Sequence, residues 1–171
     1  GAGRMVGQIP IGHGFTASIS VTRVSDPETG REWEQVGVEP DIAVDPEQAL
    51  TAGHLAALKV VAAGGTADAT RKRALERLIE TYEARLRGTP VDSARLARFA
   101  GTYDGRVVSL RGEQLHYARR NGGLSEPLVP LGDDTFALGS QRLRFAETAG
   151  VVTLRVEQSD GAEVSLTRAR K

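Results

Sequence analysis

The chain has 171 residues, 40% of them hydrophobic, and its 22 basic and 22 acidic residues give a formal net charge of zero. This length suits one medium domain or two small ones, and the charge balance argues against a general nucleic-acid binder, which would carry a basic excess. The chain has no cysteine, which excludes disulfides, thiolate catalysis and cysteine-based zinc sites, and no apolar run reaches the ~20 residues needed to span a bilayer.

The first zone runs from residue 1 to residue 63. It opens with Gly1, Ala2, Gly3 and Arg4, which lack the features of a signal peptide, so we expect the chain to begin inside a larger protein. Residues 15–21 then alternate apolar and hydroxyl side chains, and this period of two predicts a strand with one buried face. The apolar positions are Phe15, Ala17, Ile19 and Val21.

A helix should follow from about Pro46 to Ala62. Asp45 can cap its first turn, and proline is favoured at the first helical position. The spacing of apolar residues predicts an inner face, and Gly64 and Gly65 should end the helix. The inner face is expected to contain Leu50, Leu58 and Val61.

The second zone, residues 64–100, is expected to be a helical connector. A helix over residues 67–87 should carry one apolar stripe, because apolar residues recur there at spacings of three and four. The stripe comprises Leu75, Leu78, Ile79, Tyr82 and Leu86. A shorter helix from Asp92 to Ala100 should pack through Leu96 and Phe99. A connector with such a stripe is expected to dock rather than float.

The third zone, residues 101–171, should be an antiparallel β-domain. Seven short apolar runs are separated by turn signals, which is typical of a small barrel or sandwich. The predicted strands cover residues 106–110, 114–118, 127–131, 135–138, 141–145, 151–156 and 163–167. Asp160 and Gly161 predict a two-residue hairpin turn. The predicted fold class is therefore α+β.

The sequence contains no complete set of catalytic residues. Nucleophile-elbow, phosphate-loop and dinucleotide motifs are missing, so we predict neither a cofactor nor a metal site. The three histidines lie on different predicted elements without metal-ligand spacing. His54 and His116 are best explained by packing, whereas His13, between two glycines, could serve as an acid or base.

One segment resembles a known family. Residues 33–41, preceded by the turn segment 26–30, resemble the end of the catalytic core of tail-specific serine peptidases. The branch that includes tricorn protease and the interphotoreceptor-retinoid-binding-protein repeats is the most similar. The resemblance extends over about the first 62 residues and implies the C-terminal piece of a ClpP/crotonase-like α/β core. Residues 99–103 resemble, more weakly, the start of a small β-domain that is often appended to such peptidases.

The motif residues have physical roles of their own. Gly37 permits a turn that a β-carbon would resist, Pro40 keeps the chain extended towards Asp41, and Trp33 can anchor the loop by burial. The resemblance implies that Glu34 is an orienting carboxylate, which accepts a hydrogen bond from a serine that orients the catalytic histidine. A solvated loop glutamate is the alternative. Gln35 stands where the family usually has glycine and is expected to affect the position of Glu34.

The family's nucleophilic serine, histidine and oxyanion donors precede the segment that this chain resembles. The resemblance therefore implies a parent serine endopeptidase that acts on polypeptides, and a chain that is inactive alone. Expected partners are the rest of the peptidase core and the polypeptide substrate, without nucleic acid or a membrane span, while a homo-oligomer stays open. The family implies a periplasmic or secreted protein, and a cytoplasmic location stays open.

Two alternative functions remain. One is a non-catalytic module whose β-domain holds an apolar ligand or a peptide, and the other is a purely structural role in assembly.

Overall fold

The structure is a computed structural model, and it describes residues 4–34, 37–65, 68–119 and 124–169. Within these residues the fold is mixed α+β, with three α-helices and three antiparallel sheets. The chain divides into two compact units, one up to Ala43 and one from Val44 onward. The sequence-based zones place their first boundary at residue 63 instead.

The first unit contains one antiparallel hairpin, made of β1 (Val6–Gly12) and β2 (Phe15–Ser20). Its two turn residues, His13 and Gly14, have φ angles of 52° and 80°, which suit the mirror-image turn that tight hairpins favour. The strand predicted at residues 15–21 is confirmed. Its partner β1 was not predicted, because glycine and proline interrupt the alternation there.

The predicted buried face of this hairpin is exposed. Paired positions place Ile9 and Ile19 on one face together with Phe15, and the Phe15 side chain is 69% exposed. The alternation sets which side chains share a face, but burial needs a second layer, and the described residues provide none for this face. The prediction of a buried face is therefore wrong for this chain.

Helix α1 spans Ala49–Ala63 and follows a single 3₁₀ turn, Pro46–Gln48. The Asp45 carboxylate accepts a hydrogen bond from the Glu47 amide at 3.0 Å, so the predicted cap is confirmed. The predicted inner face is wrong for Leu50 and Val61, which are exposed. Instead α1 packs on α2, where His54 meets the Tyr82 ring, and the buried residue of α1 is Ala52.

Helices α2 (Ala69–Arg87) and α3 (Ser93–Phe99) follow the predicted pattern closely. Each begins at an aspartate whose carboxylate accepts an amide hydrogen bond, and Gly88 ends α2 with a φ of 64°. The apolar stripe of α2 is only half-buried, and the buried residues of this helix, Thr81 and Ala84, lie outside the stripe. The predicted burial of Leu96 and Phe99 is confirmed.

In the ranges 68–119 and 124–169, the nine other strands form two antiparallel sheets. These strands are β3 (Gly101–Tyr103), β4 (Arg106–Arg111), β5 (Gln114–Arg119), β6 (Glu126–Pro127), β7 (Val129–Gly132), β8 (Thr135–Leu138), β9 (Gln141–Thr148), β10 (Val151–Glu157) and β11 (Glu163–Thr167). One sheet has the order β3-β4-β5-β6, and the other has the order β11-β10-β9-β8-β7.

Three main details differ from the predicted strands. Strand β3 (Gly101–Tyr103) was not predicted. The run predicted over residues 127–131 is split at Leu128, which passes from one sheet to the other and donates its amide to the Leu115 carbonyl at 2.8 Å. The predicted two-residue turn is wrong. Gln158 donates to Ala162 at 2.8 Å, which leaves a three-residue loop that ends at Gly161, with a φ of 92°.

The core lies between the two sheets. Tyr103 and Leu143 are completely buried there, and Phe99 of α3 joins the same cluster. At the edges away from Leu128, Tyr103 bridges to Arg168, and the Ala169 amide donates to the Thr102 carbonyl at 2.8 Å. The two sheets are therefore linked at both edges.

Candidate functional site

Asp26 closes the turn that precedes residues 33–41, the motif that resembles the peptidase family. Its Oδ1 accepts hydrogen bonds from the amides of Glu28 at 2.7 Å and Thr29 at 2.9 Å. The Thr29 amide, followed by that of Glu28, lowers the pKa of Asp26, because both hydrogen bonds favour the charged carboxylate. The backbone amide of Asp26 also donates to the Arg31 carbonyl at 2.9 Å. The turn therefore returns the chain on itself directly before the motif.

Ion pairs connect the end of this turn to the hairpin unit. Ser25 and Glu32 form an antiparallel bridge, and the Glu32 carboxylate lies 3.1 Å from the Arg23 guanidinium and 3.9 Å from that of Arg4. Trp33 and Glu34 follow directly along the chain. Their starting position is thus set by one backbone bridge and two cations.

The motif itself forms a second turn. The Gly37 amide donates to the Trp33 carbonyl at 2.9 Å, and Gly37 has a φ of 76°, the left-handed conformation that its predicted role requires. Glu34 lies inside this turn and is half-buried, as is Trp33. The structure thus brings the Trp33 carbonyl and the Gly37 amide together on either side of Glu34 in the chain. The expected effect of Gln35 concerns a residue outside the described ranges.

The other two motif residues lie further along the chain. Pro40 and Asp41 are exposed, as is Val38, on a stretch without regular secondary structure. Trp33 itself is half-buried. The predicted anchoring role of Trp33 is therefore met only by half-burial within this chain.

The three histidines occupy three different elements. His13 lies at the exposed tip of the β1–β2 hairpin. His54 packs edge-on against the Tyr82 ring, and its Nδ1 is 3.2 Å from the Tyr82 hydroxyl, which agrees with a packing role. His116 faces Ser109 across β4 and β5, and its buried Nδ1 has no hydrogen-bond partner among the described residues.

Sequence reasoning missed a polar seam between α2 and the five-stranded sheet. Arg142 of β9 is buried and donates to the Arg77 carbonyl at 2.8 Å, while its guanidinium pairs with Glu80. Arg77 in turn donates to the Gln158 carbonyl at 3.0 Å. An arginine in a strand normally indicates a solvated face, so only the packing of α2 reveals this role.

In the ranges 4–34, 37–65, 68–119 and 124–169, no three histidine or acidic side chains come together as a metal site. The helices in these ranges are all too short or too polar to cross a bilayer.

Comparisons of this chain with protein-family models, with curated proteins and with solved structures found no match.

Proposed function

We propose that this chain is the C-terminal part of a tail-specific type of serine peptidase, in which Glu34 orients the catalytic machinery and residues elsewhere in the parent perform the attack. The observation that carries the proposal is the turn closed by the Gly37 amide and the Trp33 carbonyl, which encloses a half-buried glutamate. By the same family resemblance, we propose an exported protein that acts on polypeptides.

In the proposed mechanism Glu34 works through a neighbouring hydroxyl. Its carboxylate accepts a hydrogen bond from a serine, and that serine holds the histidine in the tautomer that takes the proton of the nucleophile. The charge on Glu34 also favours the histidine cation that forms during attack. Glu34 is thus a positioning residue, and it supplies no nucleophile of its own.

The exposed face of the β1–β2 hairpin supports a larger parent core. An isolated two-stranded hairpin is only marginally stable in water, and this hairpin presents Ile9, Phe15 and Ile19 on one side. The other side carries polar groups, including Gln8, whose amide donates to the Ser18 hydroxyl at 2.7 Å. A second layer of the peptidase core would bury the apolar side.

Helix α1 supports the same proposal. Its polar residues contact α2, since His54 meets Tyr82 and Lys59 forms an ion pair with Glu83 at 2.8 Å. Its opposite side is apolar, and Val60 there is 72% exposed. A helix that is apolar on its open side is normally buried on that side in the complete protein.

We further propose that the β-domain is a closed eight-stranded barrel. The strand that passes through Leu128 belongs to both sheets, and the bridge from Tyr103 to Arg168 joins the two remaining edges. Side chains fill the space between the sheets, which favours a structural role for this domain over a small apolar ligand in its interior. The ligand-binding alternative is therefore the weaker candidate.

The full-length parent tests the role of Glu34. Glu34→Gln should lower kcat at least about tenfold with little change in KM, because it removes the charge that favours the histidine cation. Glu39→Gln, a change at an exposed glutamate nearby, is the matched control and should leave kcat unaltered. Equal rates for Glu34→Gln and the unmodified enzyme would mean that Glu34 does not contribute to catalysis.

The chain alone provides a second test. Because it lacks the proposed nucleophile, it should neither hydrolyse an unstructured protein nor react with a fluorophosphonate probe. Mass spectrometry after treatment with the probe reads this out directly. Covalent labelling of any serine in this chain would show that the reactive hydroxyl lies here, contrary to the proposal.

A further inference from the structure

A groove lies beside α2 on the outer face of the five-stranded sheet, with a cavity volume of about 440 Å³. It is rich in charged side chains from α2 and from four strands or strand ends. Its lining comprises Arg77, Glu80, Leu131, Gly132, Asp133, Thr135, Arg142, Arg144, Arg155, Glu157 and Glu163. Four of these residues are arginines, and they fall into two pairs with different surroundings.

The first pair, Arg77 and Arg142, is fully used by the protein. Both guanidiniums donate to backbone carbonyls, and they pair with Glu157 and Glu80 respectively. These arginines hold α2 against the sheet. Their charges are compensated within the wall of the groove.

The second pair, Arg144 and Arg155, is not compensated in this way. The two residues lie directly opposite each other on β9 and β10, so two like charges share one outer face. Arg144 donates its Nε to the Thr135 hydroxyl at 3.3 Å. Among the described residues, no carboxylate lies within ion-pair distance of Arg144.

Arg155 has only a loose partner. Its Nη1 is 3.7 Å from Glu163, which is an ion-pair distance but too long for a hydrogen bond. Both arginines are exposed, so their planar N–H groups are available to an acceptor from solution. Two adjacent guanidiniums with unused donors favour an anion with several acceptor oxygens.

We propose that Arg144 and Arg155 form a binding site for a small oxyanion, such as a phosphate group or a carboxylate. The hydrogen bond from Nε to Thr135 orients the guanidinium group of Arg144. An anion between the two guanidinium groups would relieve their repulsion. Asp133 and Glu163 also line the groove, so an extended polyanion would meet repulsion that a single group avoids. This site is independent of the proposed peptidase function.

The binding test uses the purified chain and two probes, inorganic phosphate and succinate. Titrations followed by NMR should show saturable shifts of the Arg144 and Arg155 Nε–H signals with at least one probe. The probe that binds more tightly identifies phosphate or carboxylate as the preferred chemistry. Arg144→Gln and Arg155→Gln should each weaken binding of the probe about tenfold, because each removes one guanidinium group.

Arg111→Gln is the matched control, because Arg111 is an exposed strand arginine on the other sheet, where it faces Gln114. This variant should bind the probes like the unmodified chain. Because both site residues are exposed, their variants should keep the native circular dichroism spectrum. Failure of both probes to saturate, or equal weakening by Arg111→Gln and Arg144→Gln, would overturn the proposed site.

Discussion

The ring of Phe99 in α3 stacks on the ring of Phe145 in β9, with centroids 4.5 Å apart and planes 11° apart. Phe145 also meets Phe136 edge-on at 5.6 Å and Tyr103 at 5.9 Å. One short helix is therefore joined to an aromatic cluster that reaches both sheets. The cluster couples the stability of α3 to that of the β-domain.

Truncation of Phe99 should therefore destabilise the β-domain strongly. We expect Phe99→Ala to lower the free energy of unfolding by about 3–5 kcal/mol, because it removes a buried ring and leaves a cavity. Urea denaturation followed by tyrosine fluorescence measures the change, because Tyr103 and Tyr117 are buried in the β-domain core. Leu124→Ala, at a side chain that is 91% exposed, should change this free energy by less than about 0.5 kcal/mol. Similar losses for the two variants would mean that α3 does not contribute to the core.

The buried hydroxyl of Thr81 should contribute to the docking of α2. Thr81 Oγ1 donates to the Arg77 carbonyl at 2.7 Å and lies 3.4 Å from Nη1 of the buried Arg142. Thr81→Val keeps the shape but removes these contacts, and we expect a loss of about 1–3 kcal/mol in unfolding free energy. Thr148→Val at the exposed end of β9 is the control for the same chemical change. An unchanged midpoint for Thr81→Val in chemical denaturation would contradict the importance of the polar seam.

A substitution in the turn between β9 and β10 should increase the stability of the protein. Ala149 has a φ of 50°, a left-handed conformation that alanine adopts at a cost, and Gly150 follows with a φ of 76°. Ala149→Asn should raise the unfolding free energy by about 0.5–1 kcal/mol, because asparagine tolerates this conformation. Ala149→Val should lower the same free energy, since a β-branched residue is strained there. Thermal denaturation of the pair checks both signs, and a more stable valine variant would refute the explanation.

Tyr103 should make the protein sensitive to alkaline pH. Burial raises the pKa of its hydroxyl to about 12, an effect partly offset by Arg168, whereas its ordinary value is 10.0. Between these two pH values the unfolded chain releases a proton that the folded chain retains. The stabilisation is complete below pH 10 and is lost as the pH rises towards 12, at about 1.4 kcal/mol per pH unit.

Tyr103→Phe provides the measurement for this effect. The variant should lose about 1 kcal/mol at neutral pH, because the hydroxyl no longer donates to the Phe99 carbonyl. Its unfolding free energy should then fall less steeply between pH 10 and 12 than that of the unmodified chain. Parallel curves over this range would show that Tyr103 does not account for the alkaline loss.

Local patterns in the sequence predicted the regular elements of this chain well. The predicted cap at Asp45 is present, and glycine and aspartate clusters mark the turns between strands. Asp68 and Asp92, which were not predicted as caps, cap α2 and α3 in the same way. Such features depend on hydrogen bonds and dihedral preferences within a few residues, so the sequence carries them directly. The conformation of Gly37 belongs to the same class, since its role follows from its missing β-carbon.

Contacts between distant residues had to come from the tertiary structure. The alternation of residues 15–21 set which side chains share a face, but only the assembled unit shows that this face stays exposed. In the same way, Arg142 is buried where it donates to the Arg77 carbonyl of α2, whereas Arg144, two residues along the same strand, is exposed. Periodicity sets the direction of a side chain relative to its own strand or helix, whereas its burial and charge partners depend on which distant elements pack beside it.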